Sequence, residues 1–191
     1  MGNISKRICV FCGSSLGNKE IYETAARSLA KELVRRHIVL VYGGGNIGLM
    51  GVIAEEVIAG GGEVIGIIPQ FLADKEFAHE SISTLHVVES MHERKALMDR
   101  ESDGFIAMPG GLGTLEEYCE MLTWKQLQLH HKPCGLLNID GFFDALIGFV
   151  DHQVQEGFVS KENRDLIMEA KDVQTLVDQI EREWNTRSEW R

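Results

Sequence analysis

Short apolar runs and longer amphipathic segments alternate along almost the whole chain. The Val-, Ile- and Leu-rich runs predict strands over Arg7–Cys12, Ile38–Tyr42, Glu63–Ile68, Leu85–Val88, Gly104–Met108 and Cys134–Ile139. Segments with apolar residues three and four apart predict helices over Glu20–Arg36, Leu49–Ala59, Met91–Glu101, Leu115–His130, Phe142–Glu156 and Val173–Trp184. Pro69–Glu80 follows neither period and reads as an irregular loop. Strands that are apolar on both faces need cover on both sides, and helices following each strand supply it.

This order predicts a Rossmann-like three-layer α/β fold, a mostly parallel sheet covered by helices on both faces. Without a repeat, a low-complexity segment or a linker, residues 1–191 read as a single domain. Ligands of such sheets sit beyond the carboxyl ends of the strands. Three glycine-bearing loops fall there: Gly13-Ser14-Ser15, Gly43–Gly51 and Pro109–Thr114. In the third, Pro109-Gly110-Gly111-Leu112-Gly113-Thr114 joins an apolar strand to an amphipathic helix, where backbone N–H groups can wrap a phosphate. The second contains Gly43-Gly44-Gly45-Asn46-Ile47-Gly48, a formal dinucleotide fingerprint. That fingerprint requires an acid at the end of the next strand to hold the ribose, and Ile67-Ile68-Pro69-Gln70 has none. An NAD-dependent oxidoreductase is disfavoured. The loop stands as a phosphate or sugar contact, or as a tight turn.

Two charged motifs admit a structural and a chemical reading. Thr114-Leu115-Glu116-Glu117 fits a capping box, with Thr114 capping the helix and Glu117 reaching back. Yet Glu117 shares a helix face with Met121 and Trp124, and a carboxylate among apolar groups is held above its usual pKa and becomes useful for catalysis. Ser90-Met91-His92-Glu93 forms a second box, which puts Arg94 and Lys95 near a helix start. Cations gain nothing from the helix dipole there. Either they lie on a solvated face, or they face an anionic ligand; in the second case, removing Arg94 should leave stability unchanged or higher.

Composition narrows the partners. With 29 acidic against 19 basic residues the formal net charge is −10, which opposes binding to nucleic-acid polymers and to anionic membrane surfaces. No apolar run is long enough to span a bilayer and the first residues carry no signal-peptide core, so a cytoplasmic location is expected. Cys9 and Cys12 sit in one strand with side chains on opposite faces, which reads as buried thiols rather than a metal or redox pair. The helix over Leu115–His130 is apolar on several sides, through Met121, Trp124 and Leu127 among others. The sheet covers one side, and a second subunit is expected to cover another.

Taken together, Met91-His92-Glu93-Arg94-Lys95 and Pro109-Gly110-Gly111-x-Gly113-Thr114-x-x-Glu117 resemble the LONELY GUY family of cytokinin riboside 5′-monophosphate phosphoribohydrolases, also labelled lysine decarboxylases. Val41–Gly45, Gly48–Gly51, Gly66–Pro69 and Gly135–Asn138 match as well. The resemblance implies hydrolysis of the N-glycosidic bond of a nucleoside 5′-monophosphate, AMP or an N6-substituted adenine relative, without metal or organic cofactor. It implies Arg94 and Glu117 as the catalytic pair. Glu76, Lys95, Gly111, Leu112, Gly113, Thr114 and Thr123 would contact the substrate, with Gly44 and Gly45 contributing from the second loop. It also implies a homodimer with the site near the subunit interface. Leu112 departs from the Tyr or Phe of many relatives. The alternative is a non-catalytic nucleotide or molybdenum-cofactor carrier on the same fold, which would keep the glycine loops without needing both Arg94 and Glu117.

Overall fold

The computed structural model describes residues 5–74, 78, 79 and 81–188. The strands are β1 (Arg7–Phe11), β2 (Val39–Tyr42), β3 (Val64–Pro69), β4 (Thr84–Val88), β5 (Gly104–Ala107), β6 (Cys134–Leu137) and β7 (Ile167–Ala170). They form one seven-stranded sheet in the order β4-β3-β2-β1-β5-β6-β7. Every strand pair is parallel. The sequence-based expectation of a mostly parallel sheet is met and extended.

The helices are α1 (Glu20–Arg35), α2 (Gly48–Ala59), α3 (Gln70–Leu72), α4 (Met91–Arg100), α5 (Leu112–Gln126), α6 (Asp144–Gln155), α7 (Lys161–Arg164) and α8 (Val173–Ser188). Alternating strand residues feed two apolar layers. Ile8, Val10, Leu40 and Tyr42 pack with Leu29 and Leu33 of α1, Leu49 and Ile53 of α2, and Leu176 and Ile180 of α8. Cys9, Phe11, Val39 and Val41 point the other way, toward Met98 of α4, Tyr118 and Met121 of α5, and Leu146 and Val150 of α6. Cys9 and Cys12 thus belong to opposite layers, and both thiols are free.

The strand order reverses at β1, whose neighbours are β2 and β5. This is where loops part and leave a crevice. The loops after β1 and β5 meet there backbone to backbone, with the Gly13 N–H donating to the Pro109 carbonyl at 3.1 Å. The loop after β2 is tied into the same end. Leu49 at the start of α2 donates its N–H to the Gly13 carbonyl at 3.0 Å.

Three boundaries differ from the sequence-based expectation. The helix expected from Leu115 starts at Leu112 and stops at Gln126, because Gly111 takes the N-cap position and Gln128 turns with φ of 60°. Strand β7 and the single turn α7 were not expected; β7 is four residues long with a glutamate exposed at its third position, so its pattern is faint. Part of the expected Pro69–Glu80 loop is the short helix α3, and Ala78 forms an antiparallel bridge with Gly45.

Gly48 tests this loop packing. It has φ of +59°, and a Cβ there would overlap the Ser14–Ser15 backbone. Gly48→Ala is expected to cost about 2 kcal/mol or more, since strain and overpacking add. Urea unfolding would measure it, and a loss within error of zero would show that the β1 and β2 loops do not pack as described.

Candidate active site

The site assembles at the carboxyl end of the sheet from α4, α5 and three strand ends. Ser90 caps α4, its hydroxyl accepting from the Glu93 N–H at 3.1 Å, while the Glu93 carboxylate accepts from the Glu89 N–H at 2.9 Å. This fixes the start of α4 and directs its fourth residue, Arg94, into the protein. The guanidinium is buried, so it needs partners for its donors. Its Nε donates to the Ile67 carbonyl at 3.0 Å and its Nη2 to the Gly43 carbonyl at 3.3 Å. Its Nη1 lies 2.9 Å from Glu117 Oε1 on α5. Gly43 has a local reason in this arrangement: a Cβ there would overlap Arg94 Nη2.

Glu117 is 8% exposed. Burial pushes its carboxyl above the ordinary value, the Arg94 charge pulls it back, and Glu116 adds to the rise. It is not part of a capping box. Because α5 begins at Leu112, Thr114 is the third helical residue and buried, and Glu117 lies beyond the first turn. The expectation that removing Arg94 leaves stability unchanged or higher is likewise corrected, because the guanidinium is buried and paired. Removing it would leave the Glu117 carboxylate buried without its partner, which typically costs about 3–5 kcal/mol.

Gly110, Gly111 and Gly113 differ in what demands them. A Cβ on Gly110 would overlap Thr114 Oγ1, so this glycine serves the fold of the loop. Gly111 and Gly113 have open space around a Cβ, and neither has positive φ. Their N–H groups and those of Leu112 and Thr114 stand at the start of α5, where a helix offers unpaired donors and the positive end of its dipole. Leu112 projects from this turn with its side chain 86% exposed.

A crevice of about 270 Å³ opens beside this turn. Gly13, Ser14, Ser15, Pro109, Gly110 and Gly111 form its polar floor, and Leu16, Tyr22, Leu49 and Phe142 its apolar wall. Tyr22 meets Phe142 edge to face at 5.7 Å between ring centres. Arg94 and Glu117 do not line the crevice; they pair across the seam between α4 and α5. The Gly110–Thr114 turn borders both. The Gly13-Ser14-Ser15 loop lines the crevice as its place after β1 led one to expect, whereas Tyr22 and Phe142 were not singled out from the sequence. Position at the β1–β5 reversal is what identifies them, and that required the strand order.

The remaining expected site residues are distributed as follows. Lys95 is buried with its ammonium on Glu116 and 3.1 Å from Glu120. Gly44 and Gly45 are buried; the Gly44 carbonyl accepts from the His79 N–H at 2.9 Å, and Gly45 bridges to Ala78. Thr123 is exposed, its hydroxyl donating to the Cys119 carbonyl at 2.7 Å, and it lies about 16 Å along α5 from Leu112. Glu76 lies outside the described residues. Among the described residues no cluster of three or more His, Cys, Asp or Glu side chains could hold a metal ion. No helix among them is long and apolar enough to cross a membrane.

Comparison with known proteins places this geometry in context. A family profile described as "Possible lysine decarboxylase" matches residues 50–180. The probable cytokinin riboside 5′-monophosphate phosphoribohydrolase LOGL3 of Oryza sativa subsp. japonica is 54% identical, over 92% of this chain and 83% of that protein. Cytokinin riboside 5′-monophosphate phosphoribohydrolase LOG2 of Arabidopsis thaliana shows the same identity and coverage. Among solved structures, the molybdenum cofactor carrier protein of Chlamydomonas reinhardtii superposes with a TM-score of 0.71 at 19% identity, covering 95% of this chain and 99% of that one. The molybdenum cofactor binding protein of Rippkaea orientalis gives 0.71 at 22% identity, covering 94% and 98%. At those identities the carriers share the fold alone, whereas the phosphoribohydrolases match across the segments that carry Arg94, Glu117 and the Gly110–Thr114 turn. The chain belongs to the "possible lysine decarboxylase" family, within its LONELY GUY group of cytokinin riboside 5′-monophosphate phosphoribohydrolases.

Proposed function

We propose that this protein is a phosphoribohydrolase that cleaves the N-glycosidic bond of a nucleoside 5′-monophosphate, with an N6-substituted adenine or adenine as base. The observation that carries this reading is the buried Arg94–Glu117 pair one turn beyond an open glycine-rich helix start. In this reading the N–H groups of Gly111–Thr114 take the phosphate, and the Ser14–Ser15 loop closes the cradle from the other side. Glu117 lies about 7.5 Å along the helix axis from Leu112, a span that a ribose between phosphate and glycosidic carbon can bridge. The C1′–N bond breaks, water adds to C1′, and the proton from water balances the departing base. A carboxylate at C1′ stabilises the oxocarbenium-like state or takes the proton from water. Arg94 keeps that carboxylate ionised and aimed. Phosphate binding away from the breaking bond contributes to the transition state by holding the sugar.

The two relatives with 54% identity carry names for this activity, and both identity and the Arg94–Glu117 pair favour it over a carrier. A cytoplasmic location fits the free thiols. For assembly we propose a homodimer. Met121 is 1% exposed in the chain's own core, so it is not free for a partner as the sequence had suggested, while Trp124 is partly buried against the same core. Leu112, Leu127 and Leu129 remain exposed on or beside α5, and Phe149 on α6, helices that cover the same face of the sheet. Large exposed apolar side chains on one face favour a subunit contact.

Purified protein is expected to release free base and ribose 5-phosphate from AMP or N6-isopentenyl-AMP in the presence of a chelator, and to act at least about 100-fold less well on the unphosphorylated nucleoside, about 2.7 kcal/mol of transition-state binding. Glu117→Gln is expected to keep ribose 5-phosphate binding while losing turnover. Comparable turnover of nucleoside and nucleotide, or an active Glu117→Gln, would sink the reading. Wild-type activity is expected to fall as pH drops through the Glu117 pKa, and burial places that acid limb above the ordinary glutamate range.

The glycine pair separates fold from ligand. Gly111→Ala is expected to change stability by no more than about 1 kcal/mol, the scale of an N-cap exchange, while weakening ribose 5-phosphate binding by calorimetry. Gly110→Ala should instead lower stability. The reverse pattern would remove Gly111 from the cradle. For the dimer, Leu127→Glu is expected to move the protein toward monomer in sedimentation velocity; a monomeric wild type at micromolar concentration would overturn that proposal.

A further inference from the structure

Three glutamates occupy adjacent positions on α5: Glu116, Glu117 and, one turn on, Glu120. Like charges at this spacing repel one another, and repulsion favours protonation of the most buried member. Lys95, next to Arg94 on α4, sits against this cluster with its side chain 8% exposed. Its ammonium contacts Glu116 and lies 3.1 Å from Glu120. Burial works against the lysine charge, and the two carboxylates more than offset it. Two ion pairs therefore stand side by side across the α4–α5 seam: Arg94 with Glu117, and Lys95 with the glutamates that flank it.

We infer that Lys95 is a positioning residue for Glu117. It offsets part of the charge of Glu116 and Glu120 so that Glu117 keeps its charge for Arg94 and for the sugar, rather than serving as a phosphate ligand itself. This inference rests on the hydrolytic role proposed for Glu117. Its place supports it. Glu116 and Glu120 lie about 6 and 12 Å along α5 from Leu112, so an ammonium held between them is set back from the helix start. The groups that bear on Glu117 are Arg94 and Lys95 from α4, Glu116 and Glu120 from α5, and the thiols of Cys9 in β1 and of Cys12 just after it. Burial keeps both thiols protonated, so they contribute no charge at neutral pH. Lys95 is the cation that offsets the flanking glutamates, and Arg94 already serves Glu117.

The test compares wild type with Lys95→Met, Lys95→Arg and the triple variant Lys95→Met/Glu116→Gln/Glu120→Gln. Two quantities are read. One is the pH dependence of kcat and KM with AMP or N6-isopentenyl-AMP. The other, independent of turnover, is the Glu117 carboxyl titration by carbon-13 NMR of labelled glutamate, assigned with Glu117→Gln. Lys95→Met is expected to raise both the acid limb of kcat and the NMR pKa by about one pH unit, the size of one partly screened charge a few ångströms away. Above that limb its KM should stay within about twofold of wild type, because no substrate contact has been lost. Lys95→Arg should restore the wild-type limb, and the triple variant should titrate at or below it, since two repelling charges have gone along with one cation. A KM raised about tenfold with an unshifted limb would make Lys95 a substrate ligand and overturn the inference. A triple variant as impaired as Lys95→Met would do the same. If the wild type hydrolyses neither nucleotide, the hydrolase reading fails, and the NMR titration alone still decides whether Lys95 sets the charge on Glu117.

Discussion

The buried ion pair between Arg94 and Glu117 is the constraint around which the carboxyl end of this sheet is organised. A guanidinium and a carboxylate taken out of water cost more than their mutual attraction returns unless further hydrogen bonds complete them. Here the completion comes from the fold itself. The carbonyls of Gly43, just after β2, and of Ile67, within β3, accept from Arg94, so the guanidinium is held by the backbone of two neighbouring strand segments and by one helix at once. Gly43 is bare because a side chain would occupy the place of the guanidinium. The glycine-rich segment after β2, which looks like a nucleotide fingerprint, is in part a seat for an arginine.

From that pair outward, function follows from how α5 begins. A helix that opened at Thr114 with a capped end would spend its first donors on its own side chains. Opening at Leu112 after two glycines leaves them for an anion and sets Glu117 far enough along the helix to address a sugar carbon rather than the phosphate. The reversal of strand order between β1 and β5 places the Ser14–Ser15 loop opposite this turn and opens the crevice beside it. Phosphate site, crevice and carboxylate are thus set by backbone geometry, and side chains supply the charge.

Much of this was legible in the sequence because it is local. Alternation of apolar runs with amphipathic segments gave six of the seven strands, and β7 escaped because four residues with an exposed glutamate carry little pattern. The glycine turn, Ser90 as a cap and Glu117 as a poorly solvated acid were also readable, since each depends on neighbours within one or two turns. What was not readable depends on contacts across the chain. The buried partners of Arg94 were not readable because helix position describes only its own helix, and those partners come from the residue after β2, from β3 and from α5. Thr114 looked like a cap because Gly111, which has no side chain to cap with, gave no sign of holding that position. Met121 looked free for a partner because periodicity cannot tell which of several apolar faces meets the sheet.

The central claim is spatial: a sugar phosphate held at the start of α5 must bring its anomeric carbon to Glu117. A crystal structure of the wild-type protein with ribose 5-phosphate tests this directly. The account predicts the phosphate on the N–H groups of Gly111–Thr114 and C1 of the ribose within about 3.5 Å of a Glu117 carboxylate oxygen, the separation of reacting atoms. Ribose 5-phosphate bound elsewhere, or bound at the turn with C1 facing away from Glu117, would contradict it.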